Sequence, residues 1–354
     1  MSNALALNAL RIGLFRFTIA PVQPLEVPAV NKGNMLRGGF GHAFRRLCCI
    51  PQCKDARACP LAASCPYKAV FEPSPPPGAD RLSKNQDIPR PFIFRAPQTH
   101  QTRFEKGERF EFGLVLIGRA LDFLPYFVLS FRALTGEGLG LNRAKCTLEK
   151  VEEIGVPSNG AGPNDTLARA DRCARPDTKL VYSVEDQIFR ATGSDSASIR
   201  SDLWIKTRLR QFSGANGNAS VQRVTIRFLT PTFLRADAEV VRRPEFHHLF
   251  KRLRDRINAL STFFGDGPLD IDFRGLGERA EKVRTVAAQT EWVERSRTSS
   301  KTRQRHELSG FVGEATYEGD LAEFLPWLTL GERVHVGKHT AWGNGWIQVP
   351  SFQQ

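Results

Sequence analysis

The sequence predicts an α+β protein made of two tandem ferredoxin-like domains, and an internal repeat is the first reason. The pentapeptide Asp-Phe-Leu-Pro-Tyr at 122–126 returns as Glu-Phe-Leu-Pro-Trp at 323–327. Each copy begins a short apolar helix that leads into a glycine cluster and a last strand. An acid near the cap and a proline in the first turn suit the start of a helix. The repeated order of helix, glycine loop and strand favours a tandem duplication.

Hydrophobic periodicity supports the same division. In each half, alternating apolar runs and stretches of helical spacing follow the order β-α-β-β-α-β, which is a ferredoxin-like order. The first half has predicted strands at 10–20, 91–95, 108–118 and 146–151, and helices that begin near 34 and at 121. The second half has predicted strands at 221–230, 289–297, 307–317 and 346–349, and helices at 245–264 and from 323.

These elements define the predicted domain boundaries. The first domain spans 1–190 and contains a cysteine-rich loop at 48–67, which makes the loop an insertion in that domain. Glycine, asparagine and serine accumulate in 191–220, which favours a linker region. The second domain spans 221–354 and ends in a glycine-rich loop.

The composition favours a nucleic-acid partner. Lys and Arg number 50 against 37 Asp and Glu, which gives a formal net charge of +13 over 354 residues. Of those bases 37 are Arg and 13 are Lys. Arginine dominates where a planar group binds phosphate or stacks on bases. The excess of basic residues is ten in 1–220 and three in 221–354, so most of it lies in the first half.

The same composition excludes several classes of protein. Hydrophobic residues at 41% and aromatic residues at 10% are too frequent for a disordered chain. No apolar run approaches the roughly 20 residues of a membrane span, so no membrane partner is expected. The seven cysteines occur without an export signal, which argues against a disulfide framework and predicts a cytoplasmic protein.

Five of the seven cysteines cluster between positions 48 and 65. Thiolates are strong zinc ligands, and four of them close a tetrahedral structural site with no position left open for catalysis. We therefore predict one structural zinc ion, with an iron–sulfur cluster as the lesser alternative. Cys48 is an alternative to the first ligand of the predicted set, which is Cys49, Cys53, Cys59 and Cys65.

A histidine on the first helix is the candidate for proton transfer. His42 follows a glycine-rich helix start and, at 100° per residue, lies opposite the apolar face and beside Arg45 and Arg46. Histidine is well suited to move protons near neutral pH, and the arginines could hold the phosphate that needs the proton.

Two further segments are candidates for RNA binding. The stretch from Arg295 to His306 contains no acid and lies between two predicted strands, so it predicts a cationic hairpin that contains Arg303 and Arg305. In the glycine-rich loop, Lys338 and His339 add charge and Trp342 could stack on a base. The chain has no GxxxxGK[ST] and no GxGxxG motif, which disfavours nucleotide-phosphate sites of those types.

These segments together resemble the CRISPR-associated precursor-RNA processing endoribonuclease family, within the RAMP proteins. The segment 36–43 (LRGGFGHA) is similar to the family's first-helix motif, and the cysteine-bearing loop and 67–72 follow it. Residues 228–232 (FLTPT) look like the start of the family's carboxy-terminal domain, and 337–345 is similar to its terminal glycine-rich loop.

The resemblance implies two RRM-like domains and an endoribonuclease that matures guide RNA by cutting CRISPR repeat RNA without a catalytic metal or other catalytic cofactor. The ribose 2′-hydroxyl attacks the adjacent phosphate, which gives a 2′,3′-cyclic phosphate and a 5′-hydroxyl. His42 would be the general acid or base, and Lys32, Arg37 or Lys338 would stabilise the phosphate. The family often uses a tyrosine as well, but no tyrosine precedes Tyr67 here.

The expected partners are CRISPR repeat RNA and, in addition, subunits of a CRISPR effector complex. The alternative function is a non-catalytic RAMP subunit that binds or caps guide RNA in such a complex. A zinc-dependent nucleic-acid-binding module unrelated to CRISPR is a third hypothesis.

Overall fold

The computed structural model describes residue 7 and residues 10–50, 52–53, 59–62, 64–73, 88–155, 178–190, 201–212, 221–298 and 305–353. The chain forms two compact units. The first unit contains Arg11–Arg200 and Phe263–Gly265, and the second contains Met1–Leu10, Ser201–Thr262 and Asp266–Gln354.

The first unit is an antiparallel sheet with helices packed on it. Its five-stranded sheet has the order β3-β5-β1-β6-β7, and β2 pairs with β4 in a separate ribbon. Its elements are β1 (Ile12–Pro21), β2 (Leu25–Glu26), α1 (Lys32–Cys48), α2 (Pro66–Phe71), β3 (Phe92–Arg95), β4 (Arg103–Phe104), β5 (Phe110–Ile117), α3 (Leu124–Glu137), β6 (Cys146–Ile154) and β7 (Thr178–Ser183).

Aromatic residues build the core of this unit. Phe17 in β1 stacks on Phe112 in β5, which lies directly opposite it in the register. Phe40 in α1 stacks on Phe127 and Phe131 in α3 at ring distances of 4.6 and 5.5 Å. Stacked and edge-on rings add to the hydrophobic gain of burial, so this cluster fixes α1 against α3 and the sheet.

The second unit has the same order of strands and helices. Its four-stranded antiparallel sheet has the order β11-β14-β8-β15, and two short hairpins pair β9 with β10 and β12 with β13. Its elements are α4 (Ser201–Phe212), β8 (Arg223–Thr232), β9 (Leu234–Ala236), β10 (Glu239–Val241), α5 (Phe246–Phe264), α6 (Phe273–Ala280), β11 (Arg284–Val293), β12 (Ser296–Thr298), β13 (Arg305–Glu307), β14 (Gly310–Glu318), α7 (Leu325–Val334) and β15 (Ile347–Gln353).

The α+β class with antiparallel sheets is confirmed. In each unit the strand that comes first in the β-α-β-β-α-β order lies at the centre of the sheet, between the third and the fourth, which is consistent with ferredoxin-like folds. Both helices of the repeated pentapeptide, α3 and α7, have the proline in their first turn as predicted. The domain limits 1–190 and 221–354 stay predictions.

The stretch predicted as a linker contains a helix of the second unit. In α4, Trp204 and Ile205 are buried, and Trp204 Nε1 donates to the Thr329 carbonyl oxygen in α7 at 3.1 Å. The helices α2 and α6 were also not predicted, since each is shorter than the periodicity needs to identify it. Among the described residues no helix is both long and apolar enough to cross a membrane.

The hairpin of β9 and β10 has a strained turn. Asp237 and Ala238 occupy its two central positions with φ of 47° and 68°. Such a turn favours glycine or asparagine, and a left-handed conformation costs an ordinary residue about 1 kcal/mol. We expect Ala238→Gly to raise the free energy of unfolding by about 0.5–1 kcal/mol, measured by urea denaturation. A lower stability of this variant would contradict the prediction.

Candidate nucleic-acid interface

The helix α1 packs closely because it contains glycine where other elements approach. A Cβ at Gly39 would lie 2.9 Å from Cδ2 of Leu134 in α3, and a Cβ at Gly41 would lie 2.9 Å from Cζ of Phe71 in α2. These two glycines therefore serve packing inside the first unit. Gly38 has open space around its Cβ position and leaves the surface of α1 free at that point.

His42 lies on the exposed face of α1. Its imidazole is exposed, as the helical spacing predicted. Gly38 precedes it by one turn, and Arg45 and Arg46 follow it by one turn on the same side, because residues three and four apart are neighbours on a helix. A phosphate placed beside His42 would therefore meet a smooth surface on one side and two guanidinium groups on the other.

Both arginines have protein partners as well. Arg45 Nη2 donates to the carbonyl oxygen of Cys53 at 3.3 Å, which ties α1 to the cysteine-rich loop. Arg46 forms an ion pair with Glu137 at the end of α3, and both side chains are about half exposed. An exposed pair of this kind contributes little to stability and leaves both groups accessible to a charged ligand.

The other two predicted catalytic residues lie elsewhere on α1. Lys32 is buried at the start of the helix, and its Nζ donates to the carbonyl oxygen of Thr99 at 2.6 Å. Burial lowers the pKa of Lys32. The guanidinium of Arg37 lies over the ring of Phe71 at 4.7 Å. At about 1.5 Å per residue, Lys32 is roughly 15 Å along the axis from His42. The structure therefore does not bring the three side chains together.

The predicted zinc ligands form a loose group of thiols. Among the described residues, no three His, Cys, Asp or Glu side chains are placed so that they could hold a metal ion. The thiols are nevertheless close enough to affect one another. Desolvation and the neighbouring Cys59 and Cys49 raise the pKa of Cys53 to about 11. Desolvation and Cys65 raise the pKa of Cys49.

The thiol of Cys48 is more deeply buried than that of Cys49. Burial, with smaller contributions from Cys65 and Cys49, raises the pKa of Cys48 to about 12. These interactions involve all five cysteines of the loop and keep either Cys48 or Cys49 as the first member of a ligand set.

In the second unit the glycine-rich loop is fastened to the end of β8. The Lys338 amide donates to the Phe233 carbonyl oxygen at 3.1 Å, and the Gly345 amide donates to that of Pro231 at 3.0 Å. Gly345 has φ of 70°, and a Cβ there would lie 1.8 Å from the Val336 carbonyl oxygen. The loop thus needs glycine for its own folding, and Lys338 is left exposed.

The predicted RNA-binding side chains of this loop differ in their exposure and in the protein groups that they contact. The half-buried ring of Trp342 has the guanidinium of Arg297 over it at 4.8 Å and the edge-on ring of His339 at 5.5 Å. Arg297 is in β12, whose pairing with β13 forms the predicted hairpin, and its backbone is in register with that of His306. Arg305 is exposed at the start of β13. Arg303 lies outside the described residues.

The sequence reasoning missed Arg297 as a partner of the loop. Its contact joins residues 297 and 342, which periodicity cannot relate. The available signal was the acid-free stretch that contains Arg297, which predicted the charge but not its stacking on tryptophan.

Comparison with known proteins assigns the two parts of the chain separately. A family model described as an N-terminal domain matches residues 10–175, and the model of the CRISPR-associated endoribonuclease Cas6 matches residues 226–347. No curated protein matches the chain in sequence.

Several solved structures are similar to the chain. Cas6 from Thermus thermophilus is 14% identical, with 96% of this chain and 99% of that chain covered and a TM-score of 0.49. A Cas6 product complex is 16% identical, with 96% and 99% covered and a TM-score of 0.48. A partial Cas6-RT-Cas1–Cas2 complex is 11% identical, with 98% of this chain and 47% of that chain covered and a TM-score of 0.51.

The antiparallel α+β sheets first define a class, the proteins with ferredoxin-like folds, and the TM-score of 0.51 supports that fold. The model of the CRISPR-associated endoribonuclease Cas6 family matches the sheet and glycine-rich loop of the second unit, over residues 226–347. The resemblance seen in the sequence is thereby confirmed.

Proposed function

We propose that this protein is an endoribonuclease that cuts CRISPR repeat RNA and so matures guide RNA. The observation that carries the proposal is the exposed His42 on a basic face of α1, in a chain whose residues 226–347 match the Cas6 family model. Two tandem RRM-like domains, one in each unit, provide the framework. The partners are the repeat RNA and the subunits of a CRISPR complex.

The proposed reaction needs no metal because the nucleophile is part of the substrate. A base removes the proton of the ribose 2′-hydroxyl, the 2′-oxygen attacks the adjacent phosphorus, and the bond from phosphorus to the 5′-oxygen breaks. An acid gives a proton to the leaving 5′-oxygen. The products are a 2′,3′-cyclic phosphate and a 5′-hydroxyl. His42 serves one of these two proton transfers.

The arginines one turn from His42 stabilise the negative charge of the reacting phosphate. Arg45 and Arg46 share its face of α1, whereas Lys32 and Arg37 are engaged with Thr99 and Phe71. We assign Lys32 and Arg37 a structural role, in which they hold α1 in place and so fix the position of His42. Preorganised cations beside a phosphate stabilise the charge that develops in the transition state.

The second unit contributes RNA binding. Lys338 is exposed on the glycine-rich loop, Arg305 is exposed in the basic hairpin, and His339 and Trp342 form an edge-on pair. Arg303, outside the described residues, stays a predicted contact to RNA. Arg297 holds one face of Trp342, so a base would stack on what remains of that ring.

The test is a cleavage assay with end-labelled repeat RNA. We expect cutting in EDTA when the protein keeps its structural metal, and product ends of the cyclic-phosphate type. A single 2′-deoxy nucleotide at the scissile position should block the cut and leave binding intact. Continued cleavage of that substrate would contradict the mechanism.

A non-catalytic RAMP subunit is the second candidate, and one observation favours it. His42 is separated from Lys32 and Arg37, so the three predicted catalytic side chains of α1 do not converge on one point. Binding of repeat RNA without cleavage by the wild-type protein would establish this alternative.

We also propose a structural zinc ion bound by Cys49, Cys53, Cys59 and Cys65, with Cys48 as the alternative first ligand. The nearness of these thiols supports it, because Cys53, Cys59 and Cys65 each affect the pKa of Cys49. The loop has few large apolar residues, so a metal would supply order that a core does not. Zinc here would hold the loop and, through Arg45, the end of α1.

Zinc removal provides a prediction about stability. We expect one zinc per chain by elemental analysis, and a loss of about 4 kcal/mol when metal that was in thousandfold excess over its dissociation constant is stripped. Cys53→Ser and Cys59→Ser should lose the ion. Cys146→Ser is the matched control, since Cys146 is a buried thiol at the start of β6, outside the loop. A protein free of zinc and unaffected by chelators would contradict the site.

A further inference from the structure

Two groups of exposed arginines in the second unit differ in their partners, and the first group is neutralised. On the open face of its sheet, Arg227 Nε lies 2.6 Å from Glu314 Oε1, and Arg223 forms an ion pair with Glu318. Thr225 and Thr316 lie between these pairs and share a hydrogen bond of 3.0 Å. This face therefore has no free cation on its central strands, and a polyanion would have to break its ion pairs to bind there.

The second group has no carboxylate partner among the described residues. It consists of Arg235 in β9 and of Arg242 and Arg243 just after β10, and all three side chains are exposed. Two of these arginines instead lie over aromatic rings. The guanidinium of Arg242 is 4.7 Å from the centre of the Trp292 ring, and that of Arg235 is 5.9 Å from the centre of the Phe233 ring.

These contacts form a continuous surface that we name the arginine–aromatic strip: Phe233, Arg235, Arg242 and Trp292. The rings of Phe233 and Trp292 are 6.0 Å apart at an angle of 54°, which joins its two halves. Phe233 is buried and Trp292 is half-buried, so the rings form the floor and the guanidinium groups form the outer layer.

The fold explains why the strip is where it is. In the β9–β10 hairpin Val241 lies opposite Leu234, so the next position in the same register sets Arg242 opposite Phe233. Trp292 comes at the end of β11, opposite Phe311 in β14. The Lys338 amide of the glycine-rich loop donates to the Phe233 carbonyl oxygen at 3.1 Å. The exposed Lys338 therefore belongs to the edge of the same surface.

We propose that the arginine–aromatic strip is a binding site for an unpaired nucleobase of RNA. The base stacks on the guanidinium of Arg242, which Trp292 holds from below, and Arg235, Arg243 and Lys338 contact the flanking phosphates. Single-stranded RNA is recognised by stacking on aromatic rings and on arginine planes, and neighbouring cations follow its backbone. A guanidinium already seated on tryptophan loses little freedom when a base covers it.

This inference depends on the proposed function only in taking RNA as the ligand, and not on cleavage at His42. It adds a contact to nucleotides outside a hairpin stem, because the strip offers stacking to unpaired bases. A protein partner with an acidic peptide would use the same cations, but it would show no dependence on bases.

The experiment compares two fluorescein-labelled RNA probes of about 15 nucleotides, oligo(A) and an abasic strand of the same length. Binding is followed by fluorescence anisotropy over a range of salt concentrations. We expect the wild-type protein to bind oligo(A) about tenfold or more tightly than the abasic strand, because each stacked base adds affinity. Arg242→Lys keeps the charge and removes the planar group, so it should abolish most of that preference.

Three further variants complete the design. Trp292→Leu should act like Arg242→Lys, and its thermal unfolding is measured to show that the unit is folded. Arg243→Ala should weaken both probes equally and reduce the salt slope by about one, as the loss of one phosphate contact does. Arg227→Ala is the matched control, since its cation is already paired with Glu314, and it should change neither quantity.

The outcomes separate this inference from the proposed function. Equal wild-type affinity for both probes, or an unchanged preference in Arg242→Lys, would overturn the strip as a base-binding site. Failure of the wild-type protein to cut repeat RNA while the preference persists would reject the nuclease proposal and leave the strip standing.

Discussion

His42→Ala is expected to lower the single-turnover rate of repeat-RNA cleavage by about 10²-fold to 10⁴-fold, the usual contribution of a positioned proton-transfer residue. The imidazole is exposed on α1, so its removal leaves no cavity and should not change the thermal unfolding of the first unit. Since Arg45 and Arg46 stay in place, the dissociation constant of the RNA should change little. The measurement is single-turnover cleavage at saturating protein, with binding measured in parallel.

The matched control is His100→Ala. His100 is exposed in the loop after β3 in the same unit, next to the Thr99 carbonyl oxygen that accepts from Lys32. It has the same chemistry as His42 without the basic face of α1, so its loss should leave the rate unchanged. A His42→Ala protein that cuts at the wild-type rate would reject the nuclease assignment of this residue and favour the non-catalytic subunit.

The central elements were predictable because their signals are local. The alternation of apolar residues in β1 placed it to within two residues, and the prolines of the repeated pentapeptide placed the starts of α3 and α7 to within three. In such segments propensity, periodicity and burial agree, so a single sequence is sufficient.

The site was only partly predictable, because its remaining features depend on contacts between distant residues. Helical spacing placed His42 on the exposed face of α1. It could not show that Lys32 is buried and donates a hydrogen bond to the Thr99 carbonyl oxygen, or that Arg37 lies over the ring of Phe71. From their charge alone, such residues are expected to be exposed to solvent and available to a ligand, since most arginines and lysines in proteins are exposed.

The helix α4 shows the same limit in the fold. Its sequence contains Asp202, Lys206, Arg208 and Arg210 within twelve residues, and polar neighbours on both sides favoured a linker. Arg208 is buried, however, because a carboxylate in α7 neutralises it. A buried ion pair inverts the usual rule that charged positions face water, and no pattern within α4 reveals the partner.

That ion pair is expected to have the largest effect on stability. Arg208 and Glu332 are 5% and 1% exposed, and two hydrogen bonds of 2.9 Å join the guanidinium to the two carboxylate oxygens. Glu332 Oε1 also accepts from the Val349 amide at 2.9 Å, and Arg208 Nη2 donates to the Val349 carbonyl oxygen at 3.0 Å. The pair thereby links α4, α7 and β15, and α7 leads directly into the glycine-rich loop.

Breaking the pair leaves an uncompensated charge in the core. We expect Glu332→Gln and Arg208→Met each to lower the free energy of unfolding by about 3–5 kcal/mol, measured by urea denaturation. The double variant Arg208→Met/Glu332→Leu should recover much of that loss, because apolar side chains of similar volume need no partner. Arg227→Ala, which breaks the exposed pair with Glu314, should cost less than about 1 kcal/mol. If the double variant were less stable than both single variants, the cost would lie in lost packing around α4 and not in an unpaired charge.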